Sequence, residues 1–437
     1  MSASRIVRSL LAGSLALSAI AYAAEPAKPS KFTWTTNSPQ AKQQLLELQR
    51  NIEHFQFGPP NVELARKIVA ADPDFALGHY YLSVTLPPAE GQAELDKALA
   101  LGKRASDGER RFMEAAAGIR GVQTPNDPRI KETITKLEAV ARDYPNERLV
   151  HVVLGQLYQG SSEPQKAIRA FERCEQLGPP SPRVRAFLAN EDLLKGEYAR
   201  ARSRFEQVQA SLPKGAAPFA VRYGIAFSEL YEGKVDAALE SLRTYLDEYR
   251  TGGLNQGFPE VFIWNSIARI NLENGRLEEA MKAYEKGFES VPGSGLADDQ
   301  KTIWQGRLSH GRARVLARMG KQAEAWAEAE KIKKMIEDGG EQGKQFWPVW
   351  HYLAGYLKLE AGDAPAAVEH LQQADPNDPF HTLLLARACE KAGKEDEARR
   401  AYQRVVDSTN NGLERALAYP EAKRKLAAFS EASSSKS

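Results

Sequence analysis

The sequence predicts an all-α protein built as a stack of helix hairpins, and three observations carry that prediction. Six times a Gly is followed five residues later by an Ala: Gly196/Ala201, Gly233/Ala238, Gly275/Ala280, Gly320/Ala325, Gly362/Ala367 and Gly393/Ala398. The residues between them are polar or charged, as in GKVDAA and GRLEEA, and apolar runs at helical spacing lie on either side. Pro145, Pro179 and Pro213 recur at intervals of 34 residues, within the range of periods that repeat architectures use. The recurring Gly suits the turn between two helices, where a left-handed backbone costs least for Gly. A small unit of this kind cannot bury its apolar face alone, so its copies stack.

From the N-terminus, Arg5 and Arg8 precede an apolar stretch from Leu10 to Ala21, and Ala21-Tyr22-Ala23 fits a small-x-small cleavage rule. Residues 1–23 are therefore expected to be a secretory signal peptide, which places the mature chain in the periplasm or outside the cell. The apolar stretch is short for a membrane anchor, which needs about 20 residues, and no later segment is long and apolar enough to span a bilayer. Residues 24–37, rich in Pro and Thr, are expected to form an extended leader.

Residues 38–145 follow as weaker, degenerate hairpins, with a separate helical domain as the alternative. A helix from Val62 to Ala71 leads to Asp72-Pro73 and then to His79 and Leu82, spaced like the start of a repeat; Pro87-Pro88 interrupts it. Ser106-Asp107 can cap a helix running to about Gly121. Asp127-Pro128 opens another to about Asp143, with Pro at its first position.

The clearest unit runs from Pro145 to Pro179. Leu154, Gly155 and Tyr158 share one face of a first helix, and Gly155 lets its partner helix approach. Ala167, Phe171 and Cys174 share a face of the second helix, and Pro179 ends it. In spacing and residue type this unit resembles the tetratricopeptide repeat family, with His151 in place of the usual Trp and Cys174 in place of Ala. The resemblance implies an α-solenoid, a right-handed superhelix whose first helices line a concave groove. The regular array is expected over 146–408: Leu188, Ala201 and Phe205; Ile225, Ala238 and Leu242; Trp264, Ala280 and Tyr284; Ala313 and Ala325, on a first helix extended from about Asp298; Ala354, Ala367 and Leu371, with a second helix cut short at Pro376; and Leu385, Ala398 and Tyr402. A C-terminal capping helix is expected within 409–429, and residues 430–437 form a tail disordered by composition.

The chain carries 59 Lys and Arg against 57 Asp and Glu, and Arg5 and Arg8 account for the difference. That balance offers no field for nucleic acid or an anionic membrane. No metalloprotease, nucleophile-elbow, phosphate-loop or dinucleotide motif occurs; the nearest, Gly293-Ser294-Gly295 and Ser433-x-x-Lys436, fall in a loop and in the tail. No enzymatic activity, cofactor or metal is expected. His79, His151 and His351 sit where the family places a large packing residue. Cys174 and Cys389 lie several repeats apart on apolar faces, too far to pair.

The expected function is that of an exported, non-catalytic scaffold. Residues one step from the packing positions of successive first helices should face the groove: Asn190, Tyr223, Phe227, Asn265, Arg269, Arg307, His310, Arg314, Tyr352, Tyr356 and Arg387. Arg forks suit carboxylates and Tyr packs on apolar groups while keeping a polar tip, so the set suits a protein or extended peptide, an acidic one in particular. A carboxylate clamp used by some family members is not reproduced, because Ala186 stands where its Lys would precede Asn190. Alternatives are an assembly subunit of a secretion, cell-envelope or surface-polymer system, an enzyme with an unrecognised site, and self-association through the repeats. N-terminal sequencing of the exported protein should read from Ala24; an intact Met1 on exported protein would refute cleavage.

Overall fold

The computed structural model describes residues 30–122, 127–161, 163–252 and 259–434. The signal segment 1–23 lies outside them, as does most of the inserted loop at 251–258. The described residues fold as consecutive helix hairpins. These are α1 (Pro39–Glu53) with α2 (Pro59–Ala71), α3 (Ala76–Thr85) with α4 (Pro88–Gly102), and α5 (Asp107–Ala117) with α6 (Pro128–Asp143). Next come α7 (Arg148–Gly160) with α8 (Pro164–Leu177), α9 (Pro182–Lys195) with α10 (Tyr198–Ala210), and α11 (Phe219–Tyr231) with α12 (Val235–Gly252). Then follow α13 (Glu260–Glu273) with α14 (Leu277–Glu289) and α15 (Asp298–Arg318) with α16 (Gln322–Asp338). The insertion after Asp338 forms the short α17 (Gly340–Gly343) and a 3-10 turn, Lys344–Phe346. The last hairpins are α18 (Trp347–Glu360) with α19 (Ala364–Leu371) and α20 (Pro379–Lys391) with α21 (Glu395–Asp407), followed by α22 (Leu413–Ser434). The two helices of each hairpin pack on each other, and each hairpin packs on the next, mainly through its second helix, which makes an α-solenoid.

The Gly/Ala pairs mark one device repeated six times. Each Gly is left-handed, with φ between +73° and +84°. The residue after it sends its amide back to the carbonyl five positions earlier, as Lys234 does to Glu229 at 2.8 Å and Arg276 to Asn271 at 2.9 Å. This is a Schellman closure of the first helix. The Ala five residues on is fully buried in all six copies, because it is the first residue of the second helix to face the first. A side chain larger than methyl there would push the hairpin apart.

Upstream, α6 packs on α7, and one buried apolar cluster runs from Phe32 to Leu188. Pro88 does not break a helix but starts α4, where its missing N–H has no partner to lose. Of the expected leader 24–37, residues 24–29 lie outside the described residues; residues 30–37 are non-helical and packed: Phe32 is buried against Phe112 and Tyr144, and Thr36 Oγ1 donates to Asp72 at 2.5 Å. Cys174 and Cys389 are free thiols, both buried. Two expectations near the C-terminus need correction. Residues 430–434, assigned to a disordered tail, continue α22, and Ser430 Oγ bonds the Leu426 carbonyl one turn back at 3.0 Å. The capping helix also does more than cover the last hairpin, as described below.

A Cβ added at Gly155 would lie 2.4 Å from the Phe171 ring. Gly155→Ala should therefore cost about 1–3 kcal/mol by overpacking, seen as a lower urea midpoint with an unchanged m-value. An unchanged midpoint would contradict this close approach.

Candidate functional site

Arg314, on α15, is 3% exposed. Its Nη1 donates to the Tyr352 hydroxyl at 2.9 Å and its Nη2 to the Tyr284 hydroxyl at 2.8 Å. The rings of Tyr284, Tyr352 and Tyr356 lie 5.7–6.0 Å from its guanidinium carbon, a distance at which their faces favour the cation. Burial raises the pKa of Tyr284 and of Tyr352, with Arg314 and Arg269 opposing the shift, so both hydroxyls keep their protons. Tyr352 lies between two imidazoles, with the His310 ring at 5.0 Å and the His381 ring stacked at 4.0 Å. Burial holds His310 well below its ordinary pKa of 6.5, and Arg314, Arg269, His381 and Arg307 add to the effect. His310 is therefore neutral at pH 7. Arg269, on α13, reaches across to α20, its guanidinium 4.9 Å from the Phe380 ring.

The face formed by the first helices already holds a helix. α22 packs against α11, α13, α20 and α21, which belong to hairpins far apart in sequence. Glu414 accepts from Arg269 Nη1 at 3.1 Å. Seven residues on, Glu421 takes both prongs of the Arg387 fork at 2.8 and 2.5 Å. Arg415 is buried, donates to the Tyr231 hydroxyl at 2.9 Å and lies 4.3 Å from the Tyr419 ring. Asn411, just ahead of the helix, donates to Asn190 Oδ1 at 3.3 Å. The far half of α22 covers the last hairpin, with Lys425 paired to Glu390 at 2.6 Å and Phe429 against Tyr402. A terminal cap alone would touch only the last hairpin, as Glu421, Lys425 and Phe429 do, whereas Asn411, Glu414 and Arg415 reach back to earlier hairpins.

Residues 223–294 and 358–418 each match a model of the tetratricopeptide repeat. The first match covers most of two hairpins, α11 to α14, and the second runs from the end of α18 into the start of α22. The two matched stretches are tetratricopeptide repeats. No curated protein matches it. Among solved structures it is similar to a tetratricopeptide repeat protein from Parabacteroides merdae ATCC 43184, at 15% identity over 64% of this chain and 98% of that one, with a TM-score of 0.47. It is similar to PilW, a type IV pilus biogenesis factor, at 15% identity over 55% of this chain and 98% of that one, with a TM-score of 0.40. Yeast Tom70 shows 9% identity over 88% of each chain and a TM-score of 0.41. None of these likenesses assigns a ligand. Tetratricopeptide repeats suggest a scaffold for protein interaction.

Within this helical array the expected groove residues fall into two sets. Asn190, Asn265, Arg269, Arg307 and Arg387 are at least partly accessible. Arg269, Asn190 and Arg387 are engaged by α22 and the residues just before it, whereas Arg307 is exposed and rests against the Trp304 ring at 4.7 Å. Tyr223, Phe227, His310, Arg314, Tyr352 and Tyr356 are buried, which departs from the expectation that they face an open groove. Successive first helices lie close enough that residues one step off the packing face meet the neighbouring helix: Tyr223 reaches Ser266 of α13 at 3.1 Å, and Arg314 reaches Tyr352 of α18. Arg269, Arg307, His310, Arg314 and Tyr352 do converge; Asn190, Tyr223 and Phe227 lie apart from them. The structure adds residues the expected set lacks: Tyr284, from a second helix, Phe380 and His381 at the start of α20, and Glu414, Arg415, Tyr419 and Glu421 of α22. The two acids spaced i, i+7 in LERALAYPE are the one sequence signal that could have pointed to them.

Arg314→Ala should cost about 2–4 kcal/mol in urea unfolding, because two buried phenol hydroxyls lose their partner, whereas Arg307→Ala should leave the midpoint unchanged. Equal effects would place both side chains in the same environment. His310, held neutral in the fold, takes up a proton on unfolding below its ordinary pKa, so its contribution is present above pH 6.5 and is lost as pH falls. Between pH 7.5 and 5.5 the stability of His310→Gln should fall less steeply than that of the native chain, by at most about 1.4 kcal/mol per pH unit.

Proposed function

We propose that this chain is an exported, non-catalytic scaffold that holds a protein partner on the inner face of its repeats. The observation that carries the reading is the use of that face by the chain itself: side chains from α11, α13 and α20 converge on one helix and grip it through Arg–carboxylate pairs and Tyr rings. A face that can seat one helix by these contacts has the chemistry to seat another. The N-terminal signal pattern supports export to the periplasm or beyond. Among the described residues no helix is long and apolar enough to cross a membrane. Paired Arg residues favour an acidic partner segment.

A photo-crosslinking residue at position 307, on the inner face, should capture a protein from the exported fraction. The same residue at position 330, exposed on the second helix α16, should capture less. Equal capture at both positions, or none at 307, would remove the inner face as the binding surface.

A further inference from the structure

Glu414 and Glu421 are seven residues apart, so they lie on one side of α22 two turns from each other. Each meets an Arg of a different first helix, Arg269 on α13 and Arg387 on α20. The two Arg residues therefore form a ruler for carboxylates at that spacing. The first of these sites has donors to spare. Arg269 uses only Nη1 on Glu414, and its buried Nε and Nη2 have no hydrogen-bond partner. Arg307 is exposed close by and shares the field of Glu414.

The first half of α22 fully buries only small or aliphatic apolar residues, Leu413, Ala416, Ala418 and Ala422, with Leu417 and Tyr419 partly buried against the core, where second helices of the array bury Phe171, Phe205, Tyr284 and Tyr402. Pro420 stands inside the helix and cannot donate to the carbonyl one turn back, which weakens the rod between its two halves. Residues 408–412, which join α21 to α22, are non-helical and include Gly412, so the joint can turn without unwinding a helix once Asn411 leaves Asn190 and Tyr231.

We propose that the inner face between α13 and α20 is a helix-binding site whose resident occupant is the chain's own α22, and that its external partner is an amphipathic helix presenting two carboxylates seven residues apart. The inference rests on the scaffold reading above and names the partner's chemistry and the competitor it must displace.

The probe is a fluorescent peptide of residues 411–426, NGLERALAYPEAKRKL, blocked at both ends and read by anisotropy against full-length protein. Glu414→Gln/Glu421→Gln in the chain loosens the resident, and that variant should bind the peptide at least tenfold more tightly than the native chain does. A peptide with Gln at both Glu positions should lose the gain. Equal binding by variant and native chain, or a gain insensitive to the peptide's charges, overturns the proposal. Dimerisation of the variant in place of peptide uptake would assign the site to a second copy and overturn the external partner. Should the variant lose helical circular dichroism, hydrogen exchange on the native chain decides. Amides of 413–421 should exchange at least tenfold faster than those of α11 and α13, and exchange in step with them overturns the proposal. A partner crosslinked at position 307 without peptide exchange sinks this inference and leaves the scaffold reading standing; peptide exchange without a crosslinked protein leaves the site to α22 alone and overturns the external partner.

Discussion

The close approach of helices over bare backbone is the constraint on which the rest of this structure depends. At Gly155 the Phe171 ring of the partner helix lies where a side chain would be, and Leu371 does the same at Gly355. Between hairpins, Phe205 covers Gly224 and Tyr284 covers Gly311. The same device thus works inside a hairpin and across the joint to the next, so the spacing of the stack is fixed by contact of ring on backbone. Cores packed to this density leave little room to relax. First helices of neighbouring hairpins are consequently near enough that residues flanking the packing positions touch the adjacent helix instead of solvent.

That crowding explains how a charge as large as Arg314 comes to be buried. A buried cation needs its donors filled, and two tyrosines supply the acceptors, one from the preceding second helix and one from the following first helix. Three hairpins are cross-linked by one guanidinium, which makes Arg314 a tie in the stack and takes it out of reach of a ligand. Arg269 is the opposite case. It is gathered into the same cluster, yet two of its donors lack partners, an arrangement that is costly unless a negative group shares the site. Glu414 supplies that group from outside the repeats. The difference between the two arginines therefore separates what holds the stack together from what the stack can hold.

The architecture was legible because its signals are local. Gly and Ala fix the turn and the first inward contact of each hairpin within six residues, and the helix at Asp127-Pro128, the long first helix from Asp298 and the short α19 all follow from caps and prolines that can be read in place. The inner face was only half legible. Register sorts residues by helix face, but whether a side chain one step off that face meets water or a neighbour depends on how closely the next hairpin packs, and no single repeat encodes that. Arg307 and Arg314 lie seven residues apart on one helix with similar claims on the groove, and one is exposed while the other is buried. The position of α22 was illegible for a further reason. Its partners, Tyr231, Arg269 and Arg387, are contributed by three hairpins, and only the closure of the superhelix brings them to one place.

A repeat array leaves its last hairpin with one apolar face uncovered, and something must cover it. Here the second half of α22 does so, through Phe429 on Tyr402 and Lys425 on Glu390. The first half is not needed for that task, and the direction it takes is set by the chain's return through Asn411 toward Asn190. Once it lies on the inner face, any ligand for that face competes with a segment tethered a few residues away. Its apparent affinity is then reduced by the fraction of chains in which the segment is out. Displacement of Glu421 from Arg387 reaches one residue past Pro420, while the contacts of Lys425 with Glu390 and of Phe429 with Tyr402 can stay in place. One helix can in this way close the end of the stack permanently while guarding the face in the middle reversibly.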